Sequence, residues 1–255
     1  MTNLKRGSLC ILFILILTGA AIAAQNSPIV LFDAAHGEKF LPQEESPLAL
    51  TGLSDLFIAA GFTVRSNKEP FSAASLAEID AVVISGPFTP LAAEEIETLY
   101  TFVQRGGRLA VMLHVAPISA NLLACFSVIH SNGVIRERES EQINGEAMNF
   151  HVVSLGKEPL FTGVNHFAVY GCWALETEGS TARIVAASSH QAWIDLDGDR
   201  TFSKHDARQA FGVIALGEVG QGNFVIFGDD AIFQNPFLAG GNRRLAENLV
   251  ERLHP

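Results

Sequence analysis

Four aspartates recur at a regular spacing in the segment "DLDGDRTFSKHD", residues 195–206. Counted from its first residue, Asp195, Asp197, Asp199 and Asp206 occupy positions 1, 3, 5 and 12. Calcium takes about six to eight oxygen ligands, and calcium loops supply them from these positions and from a main-chain carbonyl at position 7, here Thr201. Because carboxylates held this close repel one another without a cation, the spacing predicts a Ca²⁺ site formed by these five residues.

This acidic segment resembles the calcium loops of EF-hands and dockerin modules, with two departures. Arg200 stands at position 6, where glycine usually makes the sharp turn, and position 12 is aspartate rather than glutamate. The flanking stretches "AWI" and "AFGVIAL" favour strands, not the helix pair of a calcium sensor. We therefore expect Ca²⁺ to stabilise a loop between strands, and a solvated acidic turn is the alternative interpretation.

Polar side chains also follow several predicted strands. Asp33 and His36 follow "IVLF", His114 follows "RLAVML" and Asp229 follows "NFVIFG". The carboxyl ends of parallel strands share one edge of a sheet, so these side chains are candidates for binding a polar ligand or for acid–base chemistry. The alternative is that the two carboxylates cap helices or tie loops together.

The elements that would position these residues alternate between strand and helix in the first half of the chain. Apolar strand patterns at 29–33, 62–66, 80–87 and 108–115 alternate with helical patterns at 48–61, 89–107 and 119–130. The second helix has proline and acids at its start and Arg-Gly-Gly at its end, and Ser119 is the expected cap of the third. The alternation predicts an α/β fold whose parallel sheet is covered by helices on both faces.

The second half of the chain is richer in strand patterns. They span 134–139, 150–156, 167–176, 182–189 and 210–229, the last interrupted by the turn "GEVGQG", and a final helix is predicted near 240–253. No repeat or low-complexity linker divides the chain. We expect one α/β domain over residues 25–255, with a β-rich C-terminal extension.

The first 24 residues have the pattern of a secretory signal peptide. Lys5 and Arg6 precede an apolar run at 9–17, and Ala21 and Ala23 form an A-x-A cleavage pattern. The apolar run is short for a membrane span, so cleavage is favoured over an uncleaved anchor, and no stable membrane insertion is expected afterwards. The mature chain is therefore predicted to be exported, to the periplasm or outside the cell.

Composition restricts the partners and the redox chemistry. The net charge is −10 and no basic cluster occurs, which argues against binding to nucleic acid. Export permits a disulfide between Cys125 and Cys172, but both lie in apolar contexts, and two free thiols are an equal alternative. With no C-x-x-C motif, the sequence gives no indication of a zinc or thiol-redox site.

Four stretches together resemble a known group of proteins. They are "IVLFDAAHGEKF", "DAVVISGPFTPLAAEEIETLYTFVQRGGRLAVMLHVAP", "EPLFTGVNHFAVYGCWAL" and "GQGNFVIFGDDAIFQN". They resemble the class I glutamine-amidotransferase-like superfamily, in particular its non-enzymatic ThuA-like and intraflagellar-transport-like branch and related exported bacterial domains. The resemblance covers nearly all of the predicted mature chain and implies a flavodoxin-like core.

The chain departs from the catalytic members of that superfamily at the nucleophile. Those enzymes carry a cysteine at a sharp turn after a central strand, but here "RLAVML" is followed by His114. Neither a G-x-C-x-G nor a G-x-S-x-G motif occurs, and Cys125 falls inside a predicted helix. Acyl transfer has no first step without a nucleophile beside a base, so amidotransferase activity is predicted to be absent.

Two functional hypotheses follow from the sequence. The first is an exported, non-catalytic domain that binds a small ligand or protein partner and uses calcium for structure. The second is a hydrolase that acts on a polar substrate such as a glycan through Asp33, His36, His114 or Asp229. Carboxylate and imidazole groups converging in an open cleft would favour the hydrolase, whereas the same groups bonded to main-chain amides would favour the binding domain.

Overall fold

The computed structural model describes residues 27–138 and 141–255, so the predicted signal peptide lies outside the described residues. The α-helices of this part are α1 (Thr51–Ala59), α2 (Ala93–Gln104), α3 (Ala120–Cys125) and α4 (Gly240–Leu253). The strands are β1 (Ile29–Phe32), β2 (Thr63–Ser66), β3 (Ala81–Ser85), β4 (Arg108–Met112), β5 (Val128–Val134), β6 (Gln142–Ile143), β7 (Glu146–Val152), β8 (Ser154–Leu155), β9 (Phe167–Tyr170), β10 (Trp173–Thr177), β11 (Ala182–Ala187), β12 (Trp193–Ile194), β13 (Ala207–Arg208), β14 (Gly212–Val219) and β15 (Gly222–Phe227).

A ten-stranded mixed sheet forms the centre of the molecule. Its main path runs β2-β1-β3-β4-β15-β14-β10-β5, and β11 and β8 branch from β14. The five strands from β2 to β15 are parallel, whereas β14, β10, β5, β11 and β8 pair antiparallel. The predicted flavodoxin-like α/β fold with a β-rich extension is confirmed, with the parallel pairing confined to one half of the sheet.

Both faces of this sheet are buried, because alternate residues of each central strand join different apolar clusters. Val30 and Phe32 of β1 pack with residues of α1 and α4, whereas Leu31 packs on the opposite face with residues of α2 and α3. Fully buried parallel strands require apolar residues at nearly every position, which explains the unbroken runs in the sequence. The helices therefore cover both faces, as the strand–helix alternation predicts.

The β-rich extension adds two smaller sheets. Strands β6, β7 and β9 form one antiparallel sheet, and β12 pairs with β13 across the acidic loop. The predicted turn "GEVGQG" connects β14 to β15, and its Gly220 has a φ of 60° that favours glycine.

The third predicted helix is shorter than expected. The pattern at 119–130 predicts one helix, but α3 ends at Cys125 and Val128–Val134 form β5. Ser127, at a φ of 58°, reverses the chain between them, and an apolar run this short does not distinguish helix from strand. Ser119 stands at the N-cap position of α3, as predicted, but its side chain makes no capping hydrogen bond.

Two further findings concern the whole described part. Cys125 and Cys172 are free thiols, which decides between the two alternatives left open by the sequence. Among the described helices, none has the length and apolar character that crossing a membrane requires.

The strand order reverses between β1 and β3. From β1 the chain moves outward to β2, and β3 then pairs on the other side of β1. In open α/β sheets, ligands bind beyond the carboxyl ends of the strands at such a reversal. Asp33, His36 and Ser85 come from the ends of these two strands.

Candidate functional site

The loop after β1 holds a buried network of ionisable side chains. Nδ1 of His36 lies 2.7 Å from Oδ2 of Asp33, and its Nε2 lies 3.2 Å from the carboxylate of Glu95 on α2. His36 is only 4% exposed. Burial by itself lowers the pKa of His36, but the hydrogen bonds and charges of Asp33 and Glu95 outweigh it and raise that pKa to about 9.

Glu38 adds a third carboxyl group to this network. One of its oxygens accepts the main-chain N–H of His36 at 2.9 Å, and the other, Oε1, is buried with no partner among the described residues. Burial, and then the neighbouring charge and hydrogen bond of Asp33, raise the pKa of Glu38 to about 8. At neutral pH its carboxyl group therefore holds a proton.

Asp33, His36 and Glu38 offer three ligand atoms within 4.8 Å of one another. Such a cluster could hold a metal ion, but both ring nitrogens of His36 already face carboxylates. Asp33 also accepts the main-chain N–H of Ala35 at 3.1 Å. The arrangement is a hydrogen-bond network that fixes the loop after β1 and leaves Oε1 of Glu38 without a partner among the described residues.

Sequence reasoning missed Glu95, because the acids at the start of α2 were interpreted only through the helix dipole. Its carboxylate accepts the main-chain N–H groups of Phe71 at 2.7 Å and of Ala92 at 2.9 Å, as well as facing His36. The signal was its position, since a glutamate at the third residue of a helix commonly accepts a main-chain N–H at the helix start.

A second and more open pair lies where β4 and β15 end. Nδ1 of His114 is 3.0 Å from Oδ1 of Asp230, and the His114 side chain is 38% exposed whereas Asp230 is buried. The hydrogen bond to Asp230 raises the pKa of His114, although its partial burial opposes the change. Phe40 and Phe88 flank the imidazole, at 5.5 and 5.2 Å between ring centroids.

The main chain around this pair is held by the sheet and by one tryptophan. Gly86 and Asp230 donate their N–H groups to the carbonyls of Met112 and Leu113 at 2.9 and 3.0 Å. Nε1 of Trp173 donates to the His114 carbonyl at 3.0 Å. Gly86 is required here, because a Cβ at this residue would lie 2.5 Å from Oδ2 of Asp230.

Several buried polar atoms at this edge have no protein partner within the described ranges. They include Oδ2 of Asp230 and Oγ of Ser85, the residue before Gly86. Buried polar groups nearly always form hydrogen bonds, so unpartnered atoms concentrated at one place indicate water or a ligand. The candidates selected from the sequence include the neighbouring Asp229 and omit Asp230.

Asp229 has a structural role. Its two oxygens accept the main-chain N–H groups of Tyr170 at 2.5 Å and Ala231 at 3.0 Å, and it is fully enclosed. Burial and the adjacent Asp230 raise the pKa of Asp229 to about 8. The structure thus places the four predicted strand-end residues in different settings: Asp33 with His36, His114 with Asp230, and Asp229 with main-chain amides.

The acidic loop between β12 and β13 brings three predicted calcium ligands together. Asp195, Asp197 and Asp199 offer ligand atoms within 4.8 Å of one another. Asp206 lies outside that group, and its oxygens accept the main-chain N–H groups of Leu196 and Ser203 at 3.1 and 2.6 Å. The flanking strands are confirmed, and the cluster is one that could hold a cation.

Hydrogen bonds within the loop already satisfy much of this charge. Asp195 accepts the N–H groups of Gly198 and Arg200 at 2.7 and 2.8 Å, and Asp199 accepts that of Thr201 at 2.7 Å. Arg200, at the position where glycine was expected, has a φ of 63°. The loop therefore forms the sharp turn despite the substitution, at a cost in backbone strain.

Comparisons with known proteins identify solved structures that share the fold of this chain. No protein-family model matches the chain, and a search of curated proteins finds no match. Among solved structures, the mmIFT52 N-terminal domain matches 88% of this chain and 96% of its own length, at 16% identity and a TM-score of 0.71. A cytoplasmic protein of Salmonella typhimurium LT2, STM1381, matches 89% of this chain and 100% of its own length, at 12% identity and a TM-score of 0.58.

These identities establish a shared fold and nothing further. The predicted intraflagellar-transport-like resemblance is confirmed at that level. A ThuA-like protein of Bacteroides uniformis ATCC 8492 also matches, over 89% of this chain and 92% of that chain, but its TM-score of 0.49 at 9% identity is too low to carry an argument. The predicted likeness to EF-hands and dockerins has no support among these structures.

Proposed function

We propose that this chain is an exported, non-catalytic α/β domain that binds a small polar ligand at the carboxyl edge of its sheet. The observation that carries the proposal is the His114–Asp230 pair, in which Oδ2 of the buried Asp230 lacks a protein partner and the imidazole is open to solvent. Binding sites commonly place a few convergent polar groups among aromatic side chains, as Phe40 and Phe88 are placed here.

The chemistry of the pair favours a hydroxylated acid. The raised pKa of His114 favours the imidazolium form, which donates to a ligand carboxylate, and Lys39 lies 5.9 Å from the Phe88 ring. The free oxygen of Asp230 accepts a hydrogen bond from a hydroxyl group, and Ser85 Oγ can donate or accept. A sugar acid carries both kinds of group.

Glucuronate is a suitable probe, with glucose as the uncharged match. Calorimetry should detect glucuronate binding to the wild type and loss of at least about tenfold in affinity in His114→Ala and Asp230→Asn. His190→Ala is the matched control, because His190 is exposed and is absent from the hydrogen bond and ring contacts described for this pair. Equal affinity in the wild type, His114→Ala and Asp230→Asn would exclude this edge as the site.

A hydrolase that acts on a polar substrate such as a glycan is the second candidate. It is favoured by the same pair, since a carboxylate that orients a solvent-facing imidazole is the arrangement of a general base. Against it, the Asp33 and Asp229 carboxylates are bonded to main-chain amides, and the His114 ring bonds to no nucleophile in the described part of the chain. Hydrolysis of a p-nitrophenyl glycoside that His114→Ala abolishes would replace the binding proposal with this one.

We also propose a structural calcium site in the loop 195–206. Its support is the spacing of the four aspartates and the convergence of Asp195, Asp197 and Asp199. In the proposed site Thr201 contributes its carbonyl, and Asp206 turns inward on binding. The predicted export favours this assignment, because secreted proteins meet more calcium than cytosolic proteins do.

A further inference from the structure

A pair of histidines lies on the outer face of the small sheet formed by β6, β7 and β9. His151 pairs with Ala168, and His166 stands two residues before Ala168, so both histidines project from the same face as diagonal neighbours. Their ring centroids are 4.8 Å apart. The alternate residues Phe150, Val152 and Phe167 enter the core on the opposite face, which fixes this register.

His151 is the inner, less exposed histidine of the pair, and one of its ring nitrogens is free to bind a ligand. Nδ1 of His151 is buried and has no hydrogen-bond partner among the residues of known position. A neutral imidazole with a free lone pair is the form that binds metal ions.

The surroundings of the two histidines leave room for a small ligand. A cavity of about 260 Å³ is lined by both histidines, by the stacked rings of Tyr170 and Phe237, and by Asn242. Asn242 bridges α4 to β9, donating to the Ala168 carbonyl at 3.0 Å and accepting its N–H at 2.7 Å, so the wall is fixed.

Charge near the pair favours a cation. Glu141 lies beside the pair, because its main-chain carbonyl accepts the N–H of His151 at 2.9 Å, and its negative charge would stabilise a bound metal ion. Two like imidazoles in contact cannot both be protonated without repulsion, whereas one metal ion can satisfy both.

We propose that His151 and His166 bind a late first-row divalent metal ion, with Zn²⁺ and Cu²⁺ as the best-suited ions. Imidazole suits these metals, whereas Ca²⁺ and Mg²⁺ require oxygen ligands. Water in the cavity completes the coordination. This site is separate from the carboxyl-edge site and from the acidic loop, and it rests on neither.

Calorimetry of the untagged chain with ZnCl₂ and CuCl₂ tests the proposal. We expect one equivalent to bind, and each of His151→Ala and His166→Ala to weaken binding by about tenfold or more. His190→Ala should bind as the wild type does, and MgCl₂ should show no binding at this site. Because His166 is exposed, His166→Ala should fold even if replacing the inner histidine disturbs the sheet.

The acidic loop is the competing site and needs its own variant. Asp195→Ala combined with Asp199→Ala removes two of its three clustered carboxylates. The proposal is overturned if this double variant abolishes Zn²⁺ binding, or if His151→Ala and His166→Ala bind Zn²⁺ as tightly as the wild type. NMR gives a direct test. If paramagnetic Cu²⁺ broadens the ring-proton signals of His151 and His166 and leaves the signals of the other imidazoles unchanged, the proposal is supported.

Discussion

The protonation of a single buried side chain at the carboxyl edge of the sheet determines how the stability of the fold depends on pH. His36 is enclosed between Asp33 and Glu95, and its raised pKa shows that the folded chain holds its proton more tightly than a solvated histidine does. This group therefore stabilises the fold fully below pH 6.5, and that contribution is lost as the pH rises through about 9. A buried network built around one imidazolium makes stability depend on pH in the alkaline range.

We predict that the free energy of unfolding falls between pH 6.5 and about 9 and that His36→Gln flattens this fall. The change in pKa corresponds to on the order of 3 kcal/mol. Urea unfolding at the two ends of this range measures it. A fall of equal size in His36→Gln would contradict the prediction.

Glu38→Gln is the matched control for that experiment. The raised pKa of Glu38 means that ionisation in the unfolded chain lowers stability as the pH rises from 4.5 to about 8. Removing this carboxyl group should therefore reduce the pH dependence between pH 4.5 and about 8, so the fall in stability between about pH 8 and 9 belongs to His36 alone.

The setting of Cys125 disfavours a role as a catalytic nucleophile. It ends α3, and burial raises the pKa of its thiol, which opposes formation of the reactive thiolate. We predict no release of ammonia from glutamine by the wild type. A robust rate that Cys125→Ala abolishes would show that this residue is the nucleophile after all.

Among the elements, the acidic loop is where the proposed calcium site would couple ion binding to folding. If Ca²⁺ binds only the folded loop, about a hundredfold excess over the dissociation constant stabilises the chain by about 2.7 kcal/mol. We predict that Tm rises with Ca²⁺, rises less with Mg²⁺ and falls with chelator. A Tm that is the same in excess Ca²⁺ and excess chelator would mean that the loop is a solvated turn.

The effect of a substitution in this loop on Tm depends on how many main-chain N–H groups the replaced aspartate accepts. Asp195 accepts two main-chain N–H groups, so Asp195→Ala should lower Tm even in chelator. Asp197 accepts only that of Asp199, at 3.3 Å, so Asp197→Ala should remove most of the Ca²⁺ response with little effect in chelator. A full Ca²⁺ response in both variants would exclude the cluster as the site.

Helices and strands were predictable from the sequence where a segment has one clear apolar pattern, either a short continuous run or the helical period. The apolar runs of β1, β3 and β4 and the periodic pattern of α4 lie where the sequence predicts them. The boundary between α3 and β5 was not predictable, because it depends on Ser127 adopting a positive φ. Glu95 was missed as a partner of His36, since that contact joins residues 59 apart in sequence. Glu38 is only two residues from His36, and its role depends on the fold of the loop after β1.

For the whole molecule, the comparisons establish a fold shared with domains of very different settings, and the location of this chain remains a prediction from its first 24 residues. We predict that the exported protein begins at Ala24 or Gln25. N-terminal sequencing of protein recovered from outside the cytoplasm measures this. Recovery only of chains that begin at Met1 would contradict it.

The position of β15 has a consequence for the order in which the molecule is built. This strand lies between β4 and β14, and its Asn223 pairs with Arg108. A growing chain that has completed β4 can pair that strand with β3, but its other edge lacks a neighbour until residues 222–227 have been synthesised. This topology delays closure of the sheet until late in synthesis. In a chain whose synthesis is interrupted, the unpaired edge of β4 is the place where we expect aggregation to begin.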